Sequence, residues 1–267
     1  MKRFLFLSIV SITLFSGCEE GTLNFFTLDQ DIQFGQQLDS AILADPATYP
    51  ILSEDDYPEA YEHLRRIRDE LLESQYLRYA NSFDWEVKII HQDVLNAFAA
   101  PGGYMYFYTG LIHYLDNEAQ FAGVLAHEMA HVDRRHSTEM LTKQYGFSIL
   151  LSIVLGENPS DLAEIISQLA LGGTLLKFSR NNEYEADEYG VKFMYDTEYH
   201  ARELAGFFEK LEESSSNGRP PEFLSTHPSP ENRIEAIEAV WQSLGGKTGE
   251  TFPGRYQQFK ASLPANK

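Results

Sequence analysis

His127-Glu128-Met129-Ala130-His131 is the stretch from which the rest of this chain is read. It lies in a segment running roughly from Asn117 to Tyr145 that predicts one helix. Asn117 is placed to cap it, with Glu118 near the positive end of the helix dipole. Two histidines four positions apart share one helical face, their Cβ atoms about 5–6 Å apart. Both can turn a ring nitrogen toward one ion at the ~2.0–2.1 Å that Zn²⁺ requires. Glu128 then stands beside that ion rather than on it, where a carboxylate can take a proton from a zinc-bound water. A solvated helix can carry H-E-x-x-H by coincidence, about once in a hundred chains of this length.

Two histidines do not hold a catalytic zinc; a third protein ligand is needed, with the fourth position left to water. The candidate is Glu183, in Ser179-Arg180-Asn181-Asn182-Glu183-Tyr184-Glu185-Ala186-Asp187. Glu183 and Asp187 are four apart, hence on one helical face. With Glu183 on the metal, Asp187 can accept a hydrogen bond from the far ring nitrogen of a ligating histidine, fixing its tautomer. Glu185 points elsewhere on such a helix. Among 40 acids, Glu183 alone would pass for an ordinary surface glutamate; the HEMAH helix is what gives it weight. His136, five positions beyond His131, projects off the metal-facing side and reads as structural. His63, His91, His113 and His200 have no ligand spacing.

Around these motifs the chain reads as α+β, mostly helical. Thr27-Leu28-Asp29 opens a first helix, and Tyr57 to Leu77 has helical spacing with Leu64, Ile67, Leu71 and Leu72 on one face. The alternation of Trp85 to Ile90 predicts a strand, Val94 to Phe98 can form another, and Tyr104 to Tyr108 is strongly β-prone after the Pro101-Gly102-Gly103 turn. Three short strands just before the HEMAH helix predict a small sheet packed on it. An apolar stretch from Gly146 to Gly173 is split by Gly156-Glu157-Asn158-Pro159-Ser160-Asp161, and neither half reaches the ~18 residues of a membrane span. Phe178 to Lys210 is helical again. Ser229 and Pro230 open a last helix that Gly245-Gly246 ends.

Four motifs in this order resemble the gluzincin metalloendopeptidases of the HtpX and CaaX-prenyl-protease family, its soluble periplasmic BepA-like members in particular. They are HEMAH, SRNNEYEAD, Asn96-Ala97-Phe98-Ala99-Ala100-Pro101-Gly102-Gly103, and Thr226-His227-Pro228-Ser229-Pro230-Glu231-Asn232-Arg233. The resemblance implies a zincin-like fold and peptide-bond hydrolysis with one Zn²⁺ per chain on His127, His131 and Glu183, Glu128 acting as general base. For His227 it leaves three readings: transition-state donor, inhibitory fourth ligand that makes a latent or chaperone-like peptide binder, or a helix-cap residue. Arg233 is implied as a partner of the oxyanion or substrate carbonyl, with a solvated helix arginine as the alternative. The strand holding Tyr104, Met105 and Tyr106 is either a substrate-binding edge or a buried aromatic strand. The membrane-spanning helices of HtpX and the carboxy-terminal repeat domain of BepA-type proteins have no counterpart in this sequence.

The amino terminus has a separate task. Lys2 and Arg3, the apolar run Phe4 to Phe15 and a small-residue exit read as a secretory signal over residues 1–17. Leu14-Phe15-Ser16-Gly17-Cys18 resembles the bacterial lipoprotein signal, in which the cysteine becomes the lipid-modified first residue. Cys18 is also the only cysteine of the 267 residues, so no internal disulfide is possible. A lipid anchor at Cys18 would tie the protein to the envelope, with the periplasmic face of the outer membrane as the expected site. Without residues 1–17, 19 basic side chains stand against 40 acidic ones, a net charge of −21. That argues against nucleic acid and anionic headgroups as partners and otherwise reads as plain solubility; a polypeptide substrate is what the family resemblance implies. The expected layout is signal 1–17, tether 18–28, metallopeptidase domain 29–246 and tail 247–267.

Overall fold

The computed structural model describes residues 24–154, 178–215, 222–228 and 232–265, with 157, 159–161 and 163–164 between them. In chain order its elements are α1 (Leu28–Leu43), α2 (Pro58–Leu72), β1 (Val87–Ile90), β2 (Ala97–Ala100), β3 (Tyr104–Tyr108), α3 (Thr109–Tyr114), α4 (Glu118–Asp133) and α5 (His136–Val154). They continue with α6 (Arg180–Tyr195), α7 (Glu203–Ser215), α8 (Phe223–Thr226), α9 (Arg233–Ser243) and α10 (Pro253–Ala261). The α+β class is as expected, mostly helical with one three-stranded sheet. Residues 1–23, including Cys18 and the whole export signal, lie outside the described residues.

Helix α4 is the axis of the molecule. The Asn117 side chain caps it by accepting from the Gln120 amide at 2.9 Å. Every one of its residues from Glu118 to Asp133 is buried, so it is a core helix rather than an amphipathic surface one. The sheet packs on one side of it, α6 and α7 on another. Two glycines permit that close approach: a Cβ on Gly123 would lie 3.0 Å from the Leu204 Cα, and one on Gly190 would lie 3.3 Å from the His127 nitrogen. Gly190 thus brings α6, with Glu183 and Asp187, against the histidine-bearing turn.

Sheet order decides one expectation. The strands run β1-β3-β2, with β1 parallel to β3 (Val87↔Met105) and β2 antiparallel to it (Phe98↔Tyr106). Strand β3 is therefore central, and both its edges are already paired. The reading of Tyr104, Met105 and Tyr106 as an open substrate edge is corrected; the buried aromatic strand is what forms. Met105 and Phe107 join the core under α4, while Tyr104, Tyr106 and Tyr108 join a second core with Phe34 and Leu38 of α1. The Tyr106 hydroxyl donates to Asp39 Oδ1 at 2.6 Å. Among the described residues no strand pairs with the far edge of β2; the strand itself lies against α4.

Three other boundaries differ from expectation. The helix predicted from Asn117 to Tyr145 is broken at Arg134-Arg135, where Arg135 takes a left-handed backbone (φ 59°) and α5 restarts at His136. Helical spacing from Phe178 to Lys210 splits into α6 and α7 at 196–202. Residues 247–267, read as a tail, contain α10, whose Tyr256 and Phe259 are fully buried. The Tyr256 hydroxyl donates to the Ile112 carbonyl at 2.7 Å, and Arg255 reaches the buried carboxylate of Glu118 at 2.8 Å. Glu118 also accepts two bonds from Arg66, at 2.9 and 2.7 Å, and one from the Tyr199 hydroxyl at 2.8 Å. Hydrogen bonds from Arg66 and Tyr199 and the ion pair with Arg255 make a fully buried carboxylate tolerable, and they clamp α2, α4 and α10 together. At the other end of the chain Asn24 donates to the Thr138 hydroxyl at 3.0 Å and Phe26 is buried, so the end of the expected tether is docked on α5. Among the described residues no helix is long and apolar enough to cross a membrane.

Candidate metal centre

His127 and His131, one turn apart on α4, bring their Nε2 atoms within 3.1 Å of each other. From α6, Glu183 sets Oε2 3.5 Å from His127 Nε2 and Oε1 3.5 Å from His131 Nε2. The Ser179 capping box starts that helix and places Glu183 in its first turn. His227, at the carboxyl end of α8, adds Nδ1 at 3.3 Å from His127 Nε2 and 3.2 Å from Glu183 Oε1. The four residues each offer one ligand atom, and these atoms lie within 4.8 Å of one another. Three of the groups are fully buried and His227 is 1% exposed.

Such a cluster fits a cation. Glu183 Oε2 and both Glu128 oxygens are buried without a hydrogen-bond partner among the described residues. Buried carboxylate oxygens that lack hydrogen bonds gain from a cation placed among them. Imidazole nitrogens with one carboxylate oxygen are a donor set that suits zinc.

Outside the cluster each candidate ligand is held differently. His127 Nδ1 lies 3.0 Å from Asp187 Oδ1, the contact expected of Asp187. Arg233 grips the same carboxylate through Nε and Nη2, both at 2.7 Å, and its Nη2 lies 3.1 Å from Glu183 Oε2. Its guanidinium sits 3.7 Å from the centre of the Phe208 ring. Arg233 is therefore neither solvated nor free-standing, although Nη1 has no hydrogen-bond partner among the described residues. Burial works against charge on His127, but Asp187 and Glu183 outweigh it and hold the ring up to about 9. His131, buried and beside His127, is pushed well below the usual histidine range. Burial likewise raises the Glu128 carboxyl, while for Glu183 it is outweighed by His227 and His127, which keep that carboxyl ionised. Asp187→Asn should weaken metal binding about 10–100-fold, measured by competition with a chelating indicator.

Of the residues singled out in the sequence, His127, Glu128, His131, Glu183, Asp187, His227 and Arg233 converge; the Tyr104–Tyr108 strand does not, and Cys18 lies outside the described residues. Two contacts that sequence reasoning does not find are Phe178, stacked on His131 at 3.9 Å, and Phe223, stacked on His227 at 4.3 Å. Spacing puts His136 off the metal side, yet its Nδ1 lies 2.9 Å from His131 Nδ1. The Phe178 and His136 contacts depend on chain turns rather than on a spacing, whereas Phe223 and His227 are four apart on one short helix. His63 stacks on Phe259, His200 lies against Trp241, and His113 faces the Pro264 carbonyl, all away from the cluster.

A His-Glu-x-x-His helix under a small sheet, with a glutamate from a second helix beside it, has the layout of a zincin-like metallopeptidase centre. The chain belongs to peptidase family M48, whose sequence profile matches residues 58–240. It is 34% identical over 156 residues to the beta-barrel assembly-enhancing protease of Yersinia pestis, and 33% identical over 158 residues to that of Escherichia coli K12. Each match covers 55% of this chain and 32% of the relative. It is also 32% identical over 159 residues to the mitochondrial metalloendopeptidase OMA1 of Arabidopsis thaliana, covering 60% of this chain and 32% of that one. The chain spans about a third of the length of these relatives.

Proposed function

We propose that this protein is a zinc metalloendopeptidase that cleaves misfolded or unassembled polypeptides of the bacterial envelope. The observation that carries the reading is the buried convergence of His127, His131, Glu183 and His227 with Glu128 beside it. Zinc would be held by His127, His131 and Glu183, and when bound supplies Lewis acidity toward a carbonyl oxygen and a water. Glu128 takes the proton of the attacking water and delivers it to the leaving amine nitrogen. Its burial, which raises its affinity for the proton, suits that exchange. Asp187 keeps the His127 proton on Nδ1, and Arg233 holds Asp187 while keeping Nη1 for a substrate oxygen.

The substrate strand in this reading is β2. Tyr108 donates to the Asn96 carbonyl at 3.3 Å, so Asn96, Phe98 and Ala100 turn their backbone groups toward β3. By the alternation of an antiparallel pair, Ala97 and Ala99 turn theirs to the far edge, beside α4. An extended peptide adding there gains main-chain hydrogen bonds whatever its sequence, which suits unfolded substrates.

A second reading has a specific observation behind it. His227 Nε2 lies 3.3 Å from Glu128 Oε1 while its Nδ1 lies among the ligand atoms. The ring thus stands between the base and the ligands, as expected of a capped, latent enzyme or a chaperone-like peptide binder. Casein cleavage separates the readings. Wild-type cleavage should be lost on chelation, and His227→Ala should cleave faster than wild type if the ring is a cap. A loss of about 10²–10³-fold in His227→Ala would instead make His227 a transition-state donor. Absence of chelator-sensitive cleavage in both forms would sink the peptidase reading.

The envelope location rests on residues 1–18, and the name of the bacterial relatives, beta-barrel assembly-enhancing protease, is in keeping with it. Labelled palmitate entering the wild-type protein but not Cys18→Ala is the expected result for a lipoprotein. Equal labelling of both, or none, would remove the anchor.

A further inference from the structure

We propose that His136 is a positioning residue for His131, and that the break between α4 and α5 is the device that brings it there. The inference rests on the metal-centre reading above and adds a residue to it. On a continuous helix, positions 131 and 136 would lie about 140° apart around the axis, with no contact between their rings. The break abolishes that separation. Helix α4 closes with Arg134 donating to the Ala130 carbonyl at 2.8 Å, and Arg135 then turns left-handed. A left-handed arginine costs about 1–2 kcal/mol, so something must hold it. Its guanidinium does so through Nε on Asp31, a carboxylate 1% exposed, and through Nη2 on the Phe26 carbonyl.

The consequence is a chain of ring nitrogens with a fixed polarity. His131 Nε2 faces His127 and Glu183, so it is the nitrogen that must keep a lone pair for an ion. Its proton then sits on Nδ1 and is donated to His136 Nδ1 at 2.9 Å. His136 must in turn carry its own proton on Nε2, 3.3 Å from Glu185 Oε2. Phe178 stacked on the His131 face fixes the plane of the ring, and His136 fixes its rotation within that plane. The two histidines of α4 therefore differ: His127 leans on a carboxylate gripped by arginine, His131 on a second imidazole backed by a half-exposed glutamate.

Zinc titrated into metal-free protein against a chelating indicator tests this with two variants that differ in one acceptor. In His136→Asn the amide oxygen can accept where Nδ1 did, whereas His136→Leu has comparable bulk and no acceptor. The expected result is a zinc affinity lowered about 10–100-fold in His136→Leu and largely restored in His136→Asn. Melting of the metal-free forms, followed in parallel, should not rank His136→Asn above His136→Leu, because a purely packing role favours the apolar side chain. Wild-type affinity in His136→Leu, or equal losses in both variants, would overturn the proposal while leaving the centre intact. A wild type that takes up no zinc would instead overturn the metal-centre reading, and this inference with it.

Discussion

Glu128→Gln will leave a chain that folds and keeps its metal but loses about 10²–10⁴-fold in the rate of peptide cleavage. The substitution is nearly isosteric, so the buried site beside α6 keeps its shape, and the amide cannot take a proton from water. Metal content should not change, because Glu128 is outside the cluster of four ligand atoms. Its carboxylate contacts His227 Nε2 at 3.3 Å rather than the ligand nitrogens of α4. The split between lost turnover and retained metal is what distinguishes a base from a ligand. Comparing initial cleavage rates and zinc content of the two proteins tests it; wild-type turnover in the variant would remove Glu128 from the mechanism.

The largest effect on stability is expected far from the chemistry, in the helix read from sequence as part of a tail. Phe259 is fully buried, stacked on His63 at 5.6 Å and edge-on to Phe121 of α4 at 5.4 Å. Phe259→Ala should cost about 3–5 kcal/mol, transfer and cavity terms together. That is a large fraction of the ~5–15 kcal/mol that holds a domain folded. The melting midpoint of the metal-free chain should fall by roughly 10 °C. Working without metal keeps ligand linkage out of the comparison. A midpoint within a degree or two of wild type would mean that α10 is not part of the folded core.

What the sequence makes legible is what is decided locally. Asn117 and Thr27 cap the helices they are expected to cap, since capping is decided by neighbours three residues on. The spacing of His127 and His131, and of Glu183 and Asp187, carries over because helical faces follow from number alone. Sheet order does not, because alternation in Tyr104–Tyr108 says which side chains share a face and nothing about which strands lie alongside. The break at Arg134-Arg135 has no glycine or proline to announce it; a buried Asp31 more than a hundred residues earlier holds it. For that reason alone helical spacing misplaces His136. Helix α10 escapes notice because its first residue follows a left-handed Phe252 and its apolar hold on the core is just its two aromatic side chains, Tyr256 and Phe259.

Metal analysis of the purified protein beside Glu183→Ala bears on the centre itself, ahead of any assay of cleavage. One zinc per wild-type chain, with most of it lost in Glu183→Ala, is the expected result, because a third ligand from α6 completes the pair on α4. Well under one zinc per chain, unchanged by Glu183→Ala, would mean that these residues do not form a zinc site.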